Sequence, residues 1–534
     1  MKKIIYILGL LMMFSSCSSG FLKEYSQDLS RVKTYDDLNE LLLGSGYLPL
    51  ALFSNDNSYY QTANYNFMLI HFMGDELLEN NKCEGNPDFV YAKTSFFPYF
   101  TWQKDTYLSY EGKDLYDSDE ANPWNLAYEK IGNLNMILAE ADNLTPGNTE
   151  DEAKAKKIKG EAHFLRACYY YMLVNLYGKP YAPSTASTDP AVPIKLTEYV
   201  EDKDYTRASV KDVYEQINAD LDEAETNLKD ITKPKSIYHA GINAVYLFRS
   251  RICLYMQDWT NAEKYAKLSL EQNKTLEAYT ATVNPLNESS SENIFTMGSS
   301  MLGNVLFQTP GKTSSWNTYA PNYYISDHLY GLYEKNDSRR TSFFSTDDDK
   351  TSFLPTYRKI DYSVASTGQY KKVSDVFMFR SAEAYLNLAE AAAELGDNAM
   401  ACQYLNDLRA ARIAGSSSVS LSGAELVTFV REERERELCL EGHRWFDIRR
   451  YSVDAQYPYT TIIEHGFTQY KYTDGEYYRV RTDYYRLEKN DAAFVLNIPK
   501  KVREFQNSIG SNDRPDRSIV RTETYETSGG GDEE

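Results

Sequence analysis

The chain has 534 residues, 42% of them hydrophobic and 25% charged, with 27 Gly and 17 Pro, which places it among ordinary globular proteins. Its formal net charge of −20 argues against nucleic acid as a partner, because a polyanion is repelled by such a surface. Strongly anionic polysaccharides are disfavoured for the same reason, unless a local patch such as Arg479, Arg481 and Arg486, or Lys371 and Lys372, overrides the average.

Lys2 and Lys3 precede an apolar run, Ile4 to Phe14, of about eleven residues. A bilayer span needs about 20 residues, so this run fits the h-region of an export signal. It ends in Phe14-Ser15-Ser16-Cys17, which resembles a bacterial lipobox, although Leu is more usual where Phe14 stands. The expectation is a signal peptide over residues 1–16, with Cys17 lipidated as the mature N-terminus. Ser18 rather than Asp follows the cysteine, so an inner-membrane retention signal is missing. No later segment is apolar and long enough to span a membrane, so the remainder is expected to be soluble and tethered.

Five further cysteines (Cys83, Cys168, Cys253, Cys402 and Cys439) show no CxxC spacing and no neighbouring His at ligand spacing. A zinc site and a disulfide framework are therefore not expected, nor is any cofactor. Four of the five lie in helical patterns, where a free Cys acts as a small hydrophobe.

Helical periodicity dominates the chain, beginning with Thr34 and Asp37, which read as a capping box. Residues 53–120 follow with weak periodicity, rich in Asn, Asp and Tyr, and include Phe96-Phe97-Pro98-Tyr99-Phe100-Thr101-Trp102. Ile158, Ala162, Leu165, Tyr169, Met172 and Leu176 then fall in alternating steps of four and three, one stripe on a helix that Gly178 and Pro180 end. Ser209 with Asp212 caps a second helix carrying Val213, Ile217, Leu221, Ala224 and Leu228. Helix pairs with short joints are predicted around Asp258 (Ser250, Cys253, Gln257, Ala262, Ala266) and over 378–412 (Ala389, Ala392, Gly396, Ala401, Leu405). Their small residues sit at tetratricopeptide-like offsets and let paired helices approach closely. Between the pairs, residues 284–376 form a second weakly periodic stretch with Trp316, Tyr319, Tyr323 and Tyr324. Long stretches of this kind are usually functional loops. Ser422 with Glu425 reads as a further capping box. Beyond it, Arg431 to Glu437 sets Arg431–Glu435 and Glu432–Arg436 at i,i+4 spacing, expected to be helix-stabilising pairs worth about 0.3–0.5 kcal/mol each when exposed. Residues 528–534 are a predicted disordered tail.

Three blocks in this order are similar to the signatures of one family. Gly160-Glu161-Ala162-His163-Phe164-Leu165-Arg166-Ala167 with Tyr177-Gly178-Lys179-Pro180 is the first, and Arg380-Ser381-Ala382-Glu383 through Glu390-Ala391 the second. The third and most specific runs from Glu432 to Arg449, with Arg434, Glu437, Glu441, Gly442, Arg444 and Asp447. Trp124 to Asn135, Leu496-Asn497-Ile498-Pro499 and Phe21-Leu22 fit as well. On these residues the chain resembles the SusD/RagB family from Cys17 to about Asn512. The resemblance implies a mainly α, SusD-like helical scaffold over residues 17–527. It also implies an outer-membrane, surface-exposed lipoprotein that delivers glycan to a SusC-like TonB-dependent transporter. The signature charges are expected to fix how the terminal helices dock, with Gly442 at a bend or close approach.

Sugars offer apolar C–H faces and a hydroxyl rim, so a site needs aromatic platforms and a few hydrogen-bonding side chains. The two weakly periodic stretches supply the candidates: Tyr99, Trp102, Tyr107, Trp316 and Tyr319, with Asp75, Asn317 and Asn322. A glycoside hydrolase would need two carboxyls across the scissile bond, but among 77 acidic residues two can always be nominated. No nucleophile elbow, HExxH or Cys–His signature appears, so no enzymatic activity is expected. Peptide cargo, as in the RagB-like branch, stays open, because 46 Tyr against 5 Trp suits either ligand.

Overall fold

The computed structural model describes residues 32–49, 67–81, 87–113, 115, 122–279, 284–298, 302–306, 322–346, 355–360, 373–473 and 476–525. Helices dominate, as the periodicity predicts. α1 (Tyr35–Leu41) begins at Thr34, whose side chain accepts from the Asp37 N–H while Asp37 reaches back to the Thr34 N–H. A strand, β1 (Leu77–Glu79), follows. Part of the 53–120 stretch then proves helical, because α2 (Pro87–Phe100) takes in the Phe96–Phe100 run. α3 (Pro123–Asn143) opens with Pro at its first position, where the missing N–H costs nothing.

α4 (Thr149–Tyr177) ends at Gly178, as expected, and its predicted stripe is buried throughout. Burial goes further than one stripe: every side chain from Phe164 to Tyr177 is inside. This helix is central, wrapped by α3 and by α5 (Val210–Leu228). The Ser209–Asp212 capping box forms on α5.

α6 (Ile242–Tyr255) and α7 (Trp259–Gln272) make the pair around Asp258, which caps α7 through the Asn261 N–H. Ser250 Oγ donates to Ala262 O at 2.9 Å across the pair, the close approach that small residues permit. The second weakly periodic stretch carries β2 (Asn293–Thr296), β3 (Tyr323–Ile325), α8 (Asp327–Gly331), β4 (Phe344–Thr346) and β5 (Pro355–Tyr357). β6 (Met378–Arg380) leads into α9 (Ser381–Glu394), and Gly396, at φ +80°, turns the chain into α10 (Asn398–Arg412). Asp397 caps α10 through the Met400 N–H at 3.0 Å. α9 packs on both α7 and α10, so the two predicted pairs stack on one another.

α11 (Gly423–Leu438) lacks the expected third capping box, because Ser422 makes no cap hydrogen bond. Gly423 lies at φ +57°, and its N–H donates instead to Asn398 Oδ1 at 3.3 Å. α12 (Arg444–Ser452) follows a sharp turn at Gly442. There φ is +81°, and an added Cβ would stand 3.2 Å from the Val376 backbone, so both expected reasons for the glycine hold. β7 (Ile463–Thr473), β8 (Glu476–Leu487) and β9 (Ile519–Thr524) form a three-stranded antiparallel sheet that periodicity does not reveal. A short helix, α13 (Lys500–Phe505), lies between β8 and β9. The other described sheets are two-stranded: β1–β3, β2–β6 and β4–β5.

The Arg431–Glu437 run is the largest departure from expectation. Apart from Glu432, it is buried rather than exposed, and most partners come from other elements. Arg431 pairs with Glu394 and Asp454 rather than Glu435, and Arg434 with Asp447 and Asn387. Glu437 sits among Arg339, Arg380 and Arg412, all within 2.9 Å. Arg380 also reaches Glu441 and Glu292. Glu383 receives Arg251, and Glu390 receives Arg450. Arg166 holds Asp220 and Asn135, joining α4 to α5 and α3. Arg449 donates to the Asn175 and Gly178 carbonyls, which docks α12 on the end of α4. Each arginine brings several fixed donors, so one residue ties two or three elements at set angles.

Candidate ligand-binding cleft

Two of the predicted ligand residues meet in one open cleft of about 420 Å³. α2 ends at Phe100, Trp102 then adopts φ +52°, and Tyr99 and Tyr107 both line the cleft. The opposite walls are the start of α3, with Asn122 and Asn125, and the segment Asn497–Gln506 carrying α13. Tyr177, at the end of α4, lies at the base.

The walls are held by hydrogen bonds between distant parts of the chain. Asn497 donates to Lys104 O at 3.2 Å and accepts from Ser511 Oγ at 3.1 Å. Gln506 Oε1 accepts the Tyr205 N–H at 2.7 Å, and Asn122 Oδ1 accepts the Asn125 N–H at 2.8 Å. Tyr99 is 1% exposed and therefore structural, whereas Tyr107 is half-buried and lines the cleft. The Lys500 ammonium stands 6.0 Å from the Tyr107 ring centroid and 3.9 Å from Glu504. Phe505, 78% exposed, stands at the rim. Aromatic faces, amides and a near-neutral charge balance suit a polyhydroxylated ligand with apolar faces.

The other predicted residues do not join this cleft. Trp102 is fully buried: its Nε1–H donates to Met73 O at 2.9 Å and its ring stacks on His465 at 4.6 Å. It is a core residue, and offers no face to a ligand. Asn322 is also buried, donating to Val305 O at 2.8 Å. Asp75 is engaged by both Nε and Nη2 of Arg444 at 2.7 Å. Trp316, Asn317, Tyr319 and Cys17 lie outside the described residues, as do Lys371 and Lys372. The supposed basic patch is compensated, with Arg481 on Asp483, Arg486 on Glu464, and Arg479 over the Tyr525 ring. Sequence reasoning missed Asn122, Asn125, Lys500, Phe505 and Gln506. The available signals were the family-like blocks Trp124 to Asn135, which contains Asn125, and Leu496-Asn497-Ile498-Pro499, immediately before α13.

Among the described residues, Asp75, His328 and Glu435 bring ligand-type atoms within 4.8 Å of one another. Arg444 already donates to Asp75 and pairs with Glu435, 2.7 Å from each. The arrangement is thus an ion-pair cluster whose cation is supplied by the protein. Cys168, Cys253, Cys402 and Cys439 are free thiols. Burial pushes the Cys439 thiol up to about 11 despite the nearby Lys359 ammonium, so it stays a neutral packing group.

A model of the SusD family matches residues 211–512, and a second, described as starch-binding associating with outer membrane, matches residues 62–254. SusD-like protein P25 of Formosa agariphila is 25% identical over 385 residues, covering 62% of this chain and 70% of that protein. Among solved structures, a SusD-like carbohydrate binding protein from Bacteroides vulgatus superposes with a TM-score of 0.65 at 22% identity, over 89% of this chain and 97% of that one. Surface glycan-binding protein A from Bacteroides fluxus superposes with a TM-score of 0.60 at 16% identity, over 90% and 99%. These last two are likenesses of fold.

Proposed function

Because the chain belongs to the SusD family, we propose that it is a lipid-anchored, surface-exposed glycan-binding protein serving a SusC-like TonB-dependent outer-membrane transporter. It captures oligosaccharide or polysaccharide and is a binding protein, not an enzyme. A matching family described as starch-binding and outer-membrane-associated, and a structural neighbour that is a surface glycan-binding protein, support this reading. The observation that carries it is the cleft that half-buried Tyr107 lines together with Asn122, Asn125 and Gln506, with exposed Phe505 at its edge. Trp316, Tyr319 and Asn317 belong to the proposal as further contacts, on the insert formed by the weakly periodic stretch 284–376, the second after 53–120.

Aromatic contacts of this kind contribute about 1–2 kcal/mol. Tyr107→Ala should therefore weaken oligosaccharide binding roughly tenfold, since about 1.4 kcal/mol is one decade. Its ring is half-buried at the end of the insert, so the melting temperature should hardly move. Calorimetry against a glycan chosen by array binding, with peptides run beside it, decides the matter. Undiminished affinity would remove Tyr107 from the site, and a peptide preference would replace the cargo.

The anchor is tested separately. Cys17→Ala should abolish acyl labelling and move the protein out of the membrane fraction. Unchanged membrane retention would sink the lipobox assignment.

A further inference from the structure

The two inserts and the helical scaffold meet at one small charge cluster. β1 and β3 pair antiparallel, with Leu77 opposite Ile325 and Glu79 opposite Tyr323, which joins the first insert to the second. Ser326 follows directly: its N–H donates to Glu76 O, and its side chain caps α8 through the Leu329 N–H. α8 is only five residues long, too short to persist by its own hydrogen bonds. It is held by buried Leu329, by Tyr330 packed edge-on against Phe344 with Arg340 over its ring, and by the His328 side chain. His328 Nε2 lies 2.9 Å from Glu435 Oε1 on α11 and 3.9 Å from Asp75 Oδ2.

The charged groups around this imidazole come from every element packed there. Glu435 is on α11, Asp75 and Glu76 precede β1, Arg444 starts α12, and Asp327 adjoins His328 on α8. Arg444 contacts Asp75 and Glu435 at 2.7 Å each. Burial, partly offset by the Leu440 N–H, raises the Glu76 carboxyl to about 8, so near neutrality it carries little charge. Two carboxylates against one guanidinium leave one negative charge over. Glu435 Oε1 is buried, and His328 Nε2 is the ionisable group set against it, 2.9 Å away.

We propose that His328 is a proton-operated latch, whose imidazolium holds the α8 corner of the inserts against α11 and whose deprotonation releases that corner. Contact with Glu435, opposed by burial and assisted by Asp75, raises the imidazole above its ordinary value of 6.5. A raised folded value gives stabilisation that is complete below the unfolded value and is lost as pH rises through the folded one. The latch is therefore closed in acid and opens as pH rises through the raised folded value. This inference is independent of which ligand the cleft takes.

Hydrogen exchange on the full chain, corrected for intrinsic rates, reads the latch through peptides covering residues 322–333. Protection there should fall severalfold between pH 6 and pH 9, while peptides from α4 keep theirs. His328→Gln should show the low protection at both pH values. His328→Lys, which keeps its charge at pH 9, should retain high protection throughout. Equal wild-type protection at the two pH values would overturn the proposal. So would a Gln variant that responds to pH as the wild type does, or a Lys variant that loses protection at pH 9.

Discussion

Glu437→Ala should destabilise the protein by about 3–5 kcal/mol, the usual cost of removing one partner from a buried ion pair. Its carboxylate receives Arg380 at 2.6 Å, Arg412 at 2.9 Å and Arg339 at 2.9 Å, all with side chains out of contact with water. Deleting it leaves three guanidinium groups turned toward a common point, with Glu292, Glu433, Glu441 and Asp337 as the remaining counter-charges. Urea denaturation should show a lower midpoint at unchanged m, which assigns the loss to the folded state. A loss below about 1 kcal/mol, the range of exposed pairs, would mean that the network tolerates the missing charge. Burial opposes ionisation of Glu437, yet Arg412, Arg380 and Arg339 hold its carboxyl well below the ordinary value of 4.5. A depressed folded value means that this contribution is complete above the unfolded value and is lost as pH falls toward the folded one.

Leu165→Pro should cost about 3 kcal/mol or more, because proline removes an intrahelical hydrogen bond and its ring clashes with the preceding turn. The position is the middle of α4, and the side chain is fully buried. A kink there would displace the Phe164–Tyr177 segment, on which α3, α5 and α12 rest. Thr149→Pro supplies the contrast, since Thr149 is the first residue of the same helix, where proline is well tolerated. Thermal melts should separate the two variants clearly. Matching curves would show that residues 158–176 do not pack as a rigid helix.

How much was legible depended on how local the cause was. The Thr34–Asp37 and Ser209–Asp212 boxes and the Asp258 and Asp397 caps involve partners three residues apart, and all form. Ser422–Glu425 has similar spacing but fails, since Gly423 takes a left-handed conformation and gives its N–H to Asn398, 25 residues earlier. The β7–β9 sheet was hidden for a related reason. Its inward side chains, Ile463, His465 and Phe467, are followed by the buried polar Thr468, and a shift in register at Gln469/Tyr470 breaks the alternation. Among the aromatics, composition could not separate Trp102 from Tyr107. Met73 O and the His465 ring make the first a core residue, and neither is near it in sequence.

The sequence by itself determined the helical class, the main helix boundaries, the export signal as an expectation and the family-like blocks, because periodicity, caps and motifs act over a few residues. The tertiary structure alone decided what the charges do and where the cleft forms. Arg431 to Glu437 reads as a solvated helix face until Arg339, Arg380, Arg409 and Arg412 arrive from elsewhere in the chain to bury it. Tyr107 becomes part of a cleft only because Lys500 and Phe505, almost 400 residues later, close its far wall. Such partners are set by how whole elements pack, and no short window of sequence contains them.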